Sequence, residues 1–220
     1  MRYELLLWDL DGTLTDPKAG ITRSVQYALQ KLGLPFPHED ALEWVIGPPL
    51  KESFKLLLHT NDDALLDQAV GFYRERYRDI GMYENIVYPG IPKLLARLQE
   101  KGCQNFLATS KPRIFAEKIL QHFSLAGCFS VVMGSELNGN FVEKDDLIRE
   151  VLKQVPARLL SRTVMIGDRR YDVQGARANN LKVISVGYGY GTREELQAAA
   201  PDYFVSSVEE LARLLLNTNE

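Results

Sequence analysis

Short apolar runs alternate with amphipathic segments along most of the chain. An uninterrupted apolar run of a few residues is typical of a strand buried on both faces of a parallel sheet. The predicted strands are 5–8, 105–109, 129–133, 163–167, 182–186 and 203–205, and the predicted helices between them are 90–101, 114–123, 145–154, 171–179 and 208–216. Strands that alternate with helices predict βαβ units with right-handed crossovers, and so a doubly wound, mainly parallel α/β sheet.

Residues 17–85 have a different sequence pattern, in which apolar residues recur at helical spacing and no segment reads convincingly as a strand. Ile21, Val25 and Leu29 recur at helical spacing, and Gly33 follows as a helix-ending residue. Further helices are predicted at 41–45 and at 50–58, and residues 61–63 supply caps for a long helix that runs to about residue 79. We therefore predict an α/β domain of residues 1–16 and 86–220, interrupted by an all-helical domain of residues 17–85 that covers the carboxyl ends of the strands.

Polar side chains follow four of the predicted strands at the point where each strand ends. Because these ends lie side by side in a doubly wound sheet, the side chains should line one crevice. Several buried carboxylates repel one another, and a divalent cation that prefers hard oxygen ligands, such as Mg²⁺, offsets that cost. The residues are Asp9 and Asp11 after the first strand, Thr109 and Ser110 after the second, Lys144 after the third, and Asp168 and Asp172 after the fourth.

Each of these residues also has an ordinary interpretation. An Asp-Gly pair is common in turns, and Lys144 alone reads as a solvated lysine at the start of a helix. Asp168 and Asp172 are four residues apart, and both could be acids that simply stabilise the amino terminus of a helix. Residues 187–191, Gly-Tyr-Gly-Tyr-Gly, lack the G-x-G-x-x-G spacing of a dinucleotide site and are interpreted as a turn.

Composition narrows the range of partners and compartments. The 220 residues include 26 basic and 29 acidic side chains, a formal net charge of −3, and no basic run, which argues against nucleic acid as a partner. No apolar run approaches the ~18 residues that suggest a membrane span. Cys103 and Cys128 lack metal-type spacing, so we expect two reduced core thiols. The chain enters a strand without a leader, which favours a cytoplasmic protein.

In this order, the motifs resemble those of the haloacid dehalogenase superfamily, most closely its phosphoglycolate phosphatase-like branch with a helical, type C1, cap. The matching stretches are Asp-Leu-Asp-Gly-Thr at 9–13, Ala-Thr-Ser-Lys-Pro at 108–112, Lys144, and Gly-Asp at 167–168 followed by Asp172. The helical insert lies where that branch has its cap. The resemblance implies a Rossmann-like core and a Mg²⁺-dependent phosphatase.

The resemblance also implies a role for each residue. Asp9 would be the nucleophile that forms an aspartyl-phosphate, and Asp11 the general acid that protonates the leaving alcohol and later activates water. The phosphoryl oxygens would be held by Thr109, Ser110 and Lys144. Magnesium would be bound by Asp9, Asp11 (through its main-chain carbonyl) and Asp168, with Asp172 supporting them.

The substrate is the least determined part of this picture. A phosphoglycolate-like ester, a nucleotide and a sugar phosphate remain open, as do a phosphomutase, a pyrophosphatase and, outside enzymes, a phospho-accepting signalling module. Lys51 is a candidate to contact an anionic group of the substrate, although it is interpreted equally well as an exposed lysine on a helix. Arg23 is a weaker candidate for the same contact. The expected partner is a small phosphorylated metabolite, with no nucleic acid and no membrane, and the expected state is a monomer or homodimer.

Overall fold

A computed structural model describes residues 2–216 of the chain. The chain divides into two compact units, one of Met1–Asp16 with Val87–Glu220 and one of Pro17–Ile86. The first is an α/β unit and the second is helical. No helix within the described residues is long and apolar enough to cross a bilayer.

Six strands of the α/β unit form one sheet in the order β5-β4-β1-β6-β7-β8, and every neighbouring pair is parallel. The predicted α/β class with a parallel sheet is therefore confirmed. Two further short strands, β2 and β3, form a separate two-stranded sheet. The strands are β1 (Leu5–Trp8), β2 (Thr15–Asp16), β3 (Ile86–Val87), β4 (Gln104–Pro112), β5 (Val131–Ser135), β6 (Thr163–Gly167), β7 (Lys182–Val186) and β8 (Tyr203–Val205).

Ten α-helices occur in the described residues, three in the helical unit and seven in the α/β unit. They are α1 (Lys18–Lys31), α2 (Leu50–Leu58), α3 (Asp63–Asp79), α4 (Ile91–Glu100), α5 (Arg113–His122), α6 (Lys144–Leu152), α7 (Ala157–Leu160), α8 (Arg170–Ala178), α9 (Arg193–Ala199) and α10 (Val208–Leu216). Residues 41–45, predicted as a short α-helix, belong instead to a 3₁₀ segment, Glu39–Val45.

Strand β1 is apolar throughout because it is buried on every side. It lies between β4 and β6, and all four of its residues are fully buried. Leu5 and Leu7 belong to a core cluster that includes apolar residues of α6 and α8. Complete burial of such a side chain contributes about 1.5–3 kcal/mol. The Trp8 indole N–H also donates to Asn105 Oδ1 at 2.9 Å, which ties β1 to β4.

Several features of the α/β unit depart from the sequence prediction, among them the strand predicted at 129–133, which is observed at Val131–Ser135. Strand β4 continues to Pro112, and its register with β5 is irregular between Thr109 and Pro112. Helices α7 and α9 were not predicted, because each is short and buries a single residue. Both cysteines are free thiols, but only Cys103 is buried, so the expectation of two core thiols is wrong for Cys128.

Candidate active site

Three buried carboxylates meet at the carboxyl ends of β1 and β6. Asp9 follows β1 directly, Asp168 follows β6, and Asp172 lies in the first turn of α8. Each has a carboxylate oxygen within 4.8 Å of an oxygen from the other two. The chain turns away after Asp9 at Gly12, whose φ of +79° is a left-handed conformation that glycine adopts without strain. The two strand ends are adjacent because β1 pairs directly with β6.

Lys144, the first residue of α6, connects three parts of this site. Its Nζ lies 2.8 Å from Asp9 Oδ1 and 2.8 Å from Asp172 Oδ1, and it donates to the Ala108 carbonyl at 3.0 Å. The side chain is 6% exposed. A solvated lysine at a helix start is therefore the wrong interpretation, since this ammonium is buried between two carboxylates.

Asp172 serves the helix and the site together. Its Oδ2 accepts a hydrogen bond from the Arg169 N–H at 3.1 Å, which caps the amino terminus of α8, while its Oδ1 faces Lys144. Position 167 requires a glycine, because an added Cβ would lie 2.1 Å from the Asp172 carboxyl carbon. The capping interpretation and the cluster interpretation are thus both correct for this residue.

The turn at residues 187–191 turns out to support Asp168. The Tyr190 N–H donates to Asp168 Oδ2 at 2.7 Å. An added Cβ on Gly189 would lie 2.4 Å from the Asp168 Cβ, and one on Gly191 would lie 2.0 Å from the Asp168 carbonyl oxygen. The sequence pattern had indicated only a turn here. The sequence feature that could have indicated this role is the presence of three closely spaced glycines, because glycine allows one main-chain segment to approach another closely.

Asp11 lies outside the cluster of three carboxylates and pairs with a second buried lysine. Lys111 Nζ lies 2.7 Å from Asp11 Oδ2, and the two side chains are 5% and 12% exposed. Lys111 was part of the matched motif but was assigned no role. Its direction depends on the irregular end of β4, where the Lys111 N–H donates to Thr109 Oγ1 at 3.3 Å. Thr109 is buried beside it, and the Ser110 carbonyl accepts from Ser135 Oγ at 2.7 Å.

Burial and like charges make this cluster unfavourable as a set of free anions. Burial raises the pKa of Asp168 well above its ordinary value, and the charge of Asp9 adds to the rise. Burial likewise raises the pKa of Asp11 and of Asp172, against the opposing effect of Lys111 and Lys144. For Lys144, burial favours the neutral form, but the charges of Asp172 and Asp9 prevail and raise its pKa.

The donor set fits a hard divalent cation. With all six charged groups ionised, four carboxylates and two ammonium groups leave a formal charge of −2, which one divalent cation balances. Asp9, Asp168 and Asp172 can each offer an oxygen, the ligand type that Mg²⁺ prefers. The Asp11 side chain is outside this trio and faces Lys111.

The two candidate residues of the helical unit are engaged within that unit. Lys51 Nζ lies 2.9 Å from Asp63 Oδ1 and 2.7 Å from Asp67 Oδ1. Arg23 pairs with Glu39 at 2.9 Å and with Glu84 at 3.1 Å. Each cation thus has carboxylate partners, and a role in binding substrate would require exchanging them. Their place in substrate binding stays a prediction.

The fold and the strand-end residues define a class of enzyme. A family model described as haloacid dehalogenase-like hydrolase matches residues 6–186, and the chain belongs to that family. It is a hydrolase of the phosphatase type, as its resemblance to that superfamily implied.

Relatives of named activity extend over nearly the whole chain. The chain is 44% identical over 215 residues to a 5'-nucleotidase of Pseudomonas aeruginosa, which covers 98% of this chain and 96% of that protein. It is 37% identical over 188 residues to the tyrosine-protein kinase PtkA of Mycobacterium tuberculosis, covering 86% of this chain and 63% of that protein. The crystal structure of a predicted phosphatase from Clostridium acetobutylicum superposes with a TM-score of 0.92 at 43% identity, over 97% of this chain and 98% of that one.

Proposed function

We propose that the protein is a Mg²⁺-dependent phosphatase that hydrolyses a small phosphate monoester through an aspartyl-phosphate on Asp9. The observation that carries the proposal is the position of Asp9, whose Oδ1 lies 2.8 Å from the Lys144 ammonium and whose carboxylate is clustered within 4.8 Å of oxygens of Asp168 and Asp172. A carboxylate nucleophile divides a difficult displacement into two easier steps. Bound to Asp9, Asp168 and Asp172, the cation would neutralise the repulsion between the nucleophile and the phosphate dianion.

The chain's own residues supply the remaining chemistry of the proposed reaction. Asp9 attacks phosphorus as the ester bond breaks, and Asp11 gives its proton to the departing alcohol oxygen. Lys144 holds Asp9 in place and contributes positive charge toward the transferring group. Thr109 and Ser110, near the carboxyl end of the neighbouring strand β4, would donate hydroxyl hydrogen bonds to the phosphoryl oxygens. In the second step Asp11 takes a proton from the water that hydrolyses the aspartyl-phosphate.

We further propose a nucleoside 5'-monophosphate as the first substrate class to test. The relative of 44% identity is called a 5'-nucleotidase, and it matches this chain over almost its entire length. The kinase name of the second relative weighs less, because the match covers 63% of that protein. Phosphoglycolate, sugar phosphates and pyrophosphate belong in the same panel, ranked by kcat/KM. A ranking in which phosphoglycolate, pyrophosphate or a sugar phosphate leads would replace the nucleotide proposal.

The nucleophile is tested by Asp9→Asn, which keeps the size of the side chain and removes its negative charge. We expect a loss of turnover of at least about 10⁴-fold, in line with the removal of a covalent nucleophile. Wild-type enzyme quenched in acid during turnover should gain the mass of one phosphoryl group on the peptide that contains Asp9. Asp146→Asn, at an exposed acid in α6, is the matched control and should retain full activity. Hydrolysis that survives in Asp9→Asn would remove Asp9 from this role.

A further inference from the structure

A second buried lysine, Lys111, lies at the site and has no role in the proposed reaction. Lys111 is 5% exposed, and its Nζ lies 2.7 Å from Asp11 Oδ2. Burying an ammonium group is costly unless an opposite charge offsets it. The other buried lysine of the site, Lys144, is engaged by Asp9 and Asp172. The two lysines therefore serve different carboxylates.

Lys111 reaches Asp11 because of the irregular end of β4. The register between β4 and β5 shifts between Thr109 and Pro112, and the Lys111 N–H turns back to donate to Thr109 Oγ1. An irregularity of this kind changes the direction of a side chain relative to the regular alternation of a strand. The local backbone thus sets the direction in which the Lys111 side chain leaves the strand, and its Nζ reaches Asp11.

The two oxygens of Asp11 have different surroundings. Oδ2 faces the Lys111 ammonium, whereas Oδ1 is buried and has no hydrogen-bond partner among residues 2–216. An isolated buried carboxylate oxygen is costly to leave unpaired. A carboxyl group held by one oxygen, with the other left open, is oriented for proton transfer to a bound substrate.

We propose that Lys111 is the positioning residue of Asp11: it holds Oδ2 and leaves Oδ1 to exchange the proton with the leaving alcohol. In this step the Asp9 oxygen forms a bond to phosphorus and the ester P–O bond breaks. The proton on Asp11 Oδ1 passes to the departing oxygen, and Asp11 becomes a carboxylate facing Lys111. The inference rests on the proposed function, since it has meaning only if Asp11 is the acid.

The test compares two esters that differ in their need for an acid. An alkyl phosphate, such as a nucleoside 5'-monophosphate, leaves as an alcohol and needs a proton, whereas p-nitrophenyl phosphate leaves as a stable phenolate. The parameter kcat/KM reports the steps up to release of the leaving group. We expect Lys111→Met to lower kcat/KM by about 100-fold for the alkyl ester and by less than about threefold for the aryl ester. Lys111→Arg should restore part of the loss.

Lys118→Met, at an exposed lysine of α5, is the matched control and should leave both values unchanged. Equal losses for both esters would overturn the inference, because they would mean that Lys111 binds the phosphoryl group or maintains the fold. Unchanged values for both esters would also overturn it.

A double variant keeps the test decisive if Lys111→Met does not fold. Asp11→Asn with Lys111→Met removes both charges and leaves no unpaired ion. If Lys111 acts through Asp11, this double variant should be no slower on the alkyl ester than Asp11→Asn alone. Losses that add would overturn the inference. A wild-type enzyme inactive on both esters would instead contradict the proposed function, so the two failures are distinguishable.

Discussion

At the scale of single residues, the site depends on main chain that passes unusually close to a carboxylate. Tyr190 donates its N–H to Asp168, and Gly189 lies against both Asp168 and the residue that follows Asp11 in the chain, Gly12. A Cβ on Gly189 would lie 2.3 Å from the Gly12 carbonyl oxygen. Real Cβ atoms do not approach a main-chain oxygen that closely, so the turn must move to accept any side chain.

Gly189→Ala is therefore expected to weaken metal binding more than it weakens the fold elsewhere. Displacement of the turn lengthens the hydrogen bond from Tyr190 to Asp168, and we expect Mg²⁺ affinity to fall about tenfold, with a loss of about 1–3 kcal/mol in stability. Titration calorimetry with Mg²⁺ and urea unfolding measure the two effects. Gly127→Ala is the control, since nothing lies within 4 Å of its added Cβ. Unchanged Mg²⁺ affinity in Gly189→Ala would show that the turn does not orient Asp168.

At the scale of secondary-structure elements, Glu84 connects two helices of the helical unit, α1 and α3. Its carboxylate accepts from Arg76 of α3 at 2.7 and 3.1 Å and from Arg23 of α1 at 3.1 Å. The hydrogen bonds from Arg76, with those from Arg23, hold the pKa of Glu84 below its ordinary value of 4.5. A depressed pKa means that the folded state favours the ionised form. The contribution of ionised Glu84 to stability is therefore present above pH 4.5 and is lost as the pH falls through the lowered pKa.

Glu84→Gln should therefore destabilise the helical unit at pH 7 and matter progressively less in acid. We expect a loss of about 1–2 kcal/mol at pH 7, because a partly buried, two-point arginine contact is replaced by a neutral one. Hydrogen exchange of the amides of α1 and α3, measured between pH 7 and pH 3, follows the effect. Glu52→Gln removes an exposed pair with Lys55 and should change little. A difference between wild type and Glu84→Gln that grows in acid would contradict this account.

At the scale of the whole molecule, the charge balance of the site links metal binding to stability. The trio of Asp9, Asp168 and Asp172 is buried, and with Asp11 and the two lysines the fully ionised site has a formal charge of −2. The repulsion between these acids opposes folding of the α/β unit. A cation that binds the folded site relieves this repulsion, whereas the unfolded chain has no such site.

Mg²⁺ should consequently raise the melting temperature of the protein in the absence of any substrate. At a concentration about 100 times the Kd, binding adds about 2.7 kcal/mol, which corresponds to roughly 5–10 °C for a chain of this size. Differential scanning calorimetry with Mg²⁺ and with EDTA measures the shift. Asp168→Asn should reduce the shift strongly, and Asp146→Asn should retain it. An equal shift in Asp168→Asn would place the cation elsewhere.

Local pattern alone was enough to predict the sheet, the helical insert and the residues at the strand ends. Residues 163–167, 182–186 and 203–205 are strands with the predicted bounds, because a fully buried strand shows itself as a continuous apolar run. The proximity of Asp9 and Asp168 was predicted from the rule that the carboxyl ends of parallel strands share one edge of the sheet. The family followed from the order of the motifs and not from any distance.

Only the tertiary structure decided which charged groups pair with each other. The contact of Lys111 with Asp11 depends on an irregular strand end, and that of Lys144 with Asp9 and Asp172 depends on how α6 packs. The support of Asp168 by residues 187–191 depends on a close approach between distant segments. Periodicity is a property of neighbours in sequence, whereas these contacts join residues far apart along the chain, and their distances are set by register and packing.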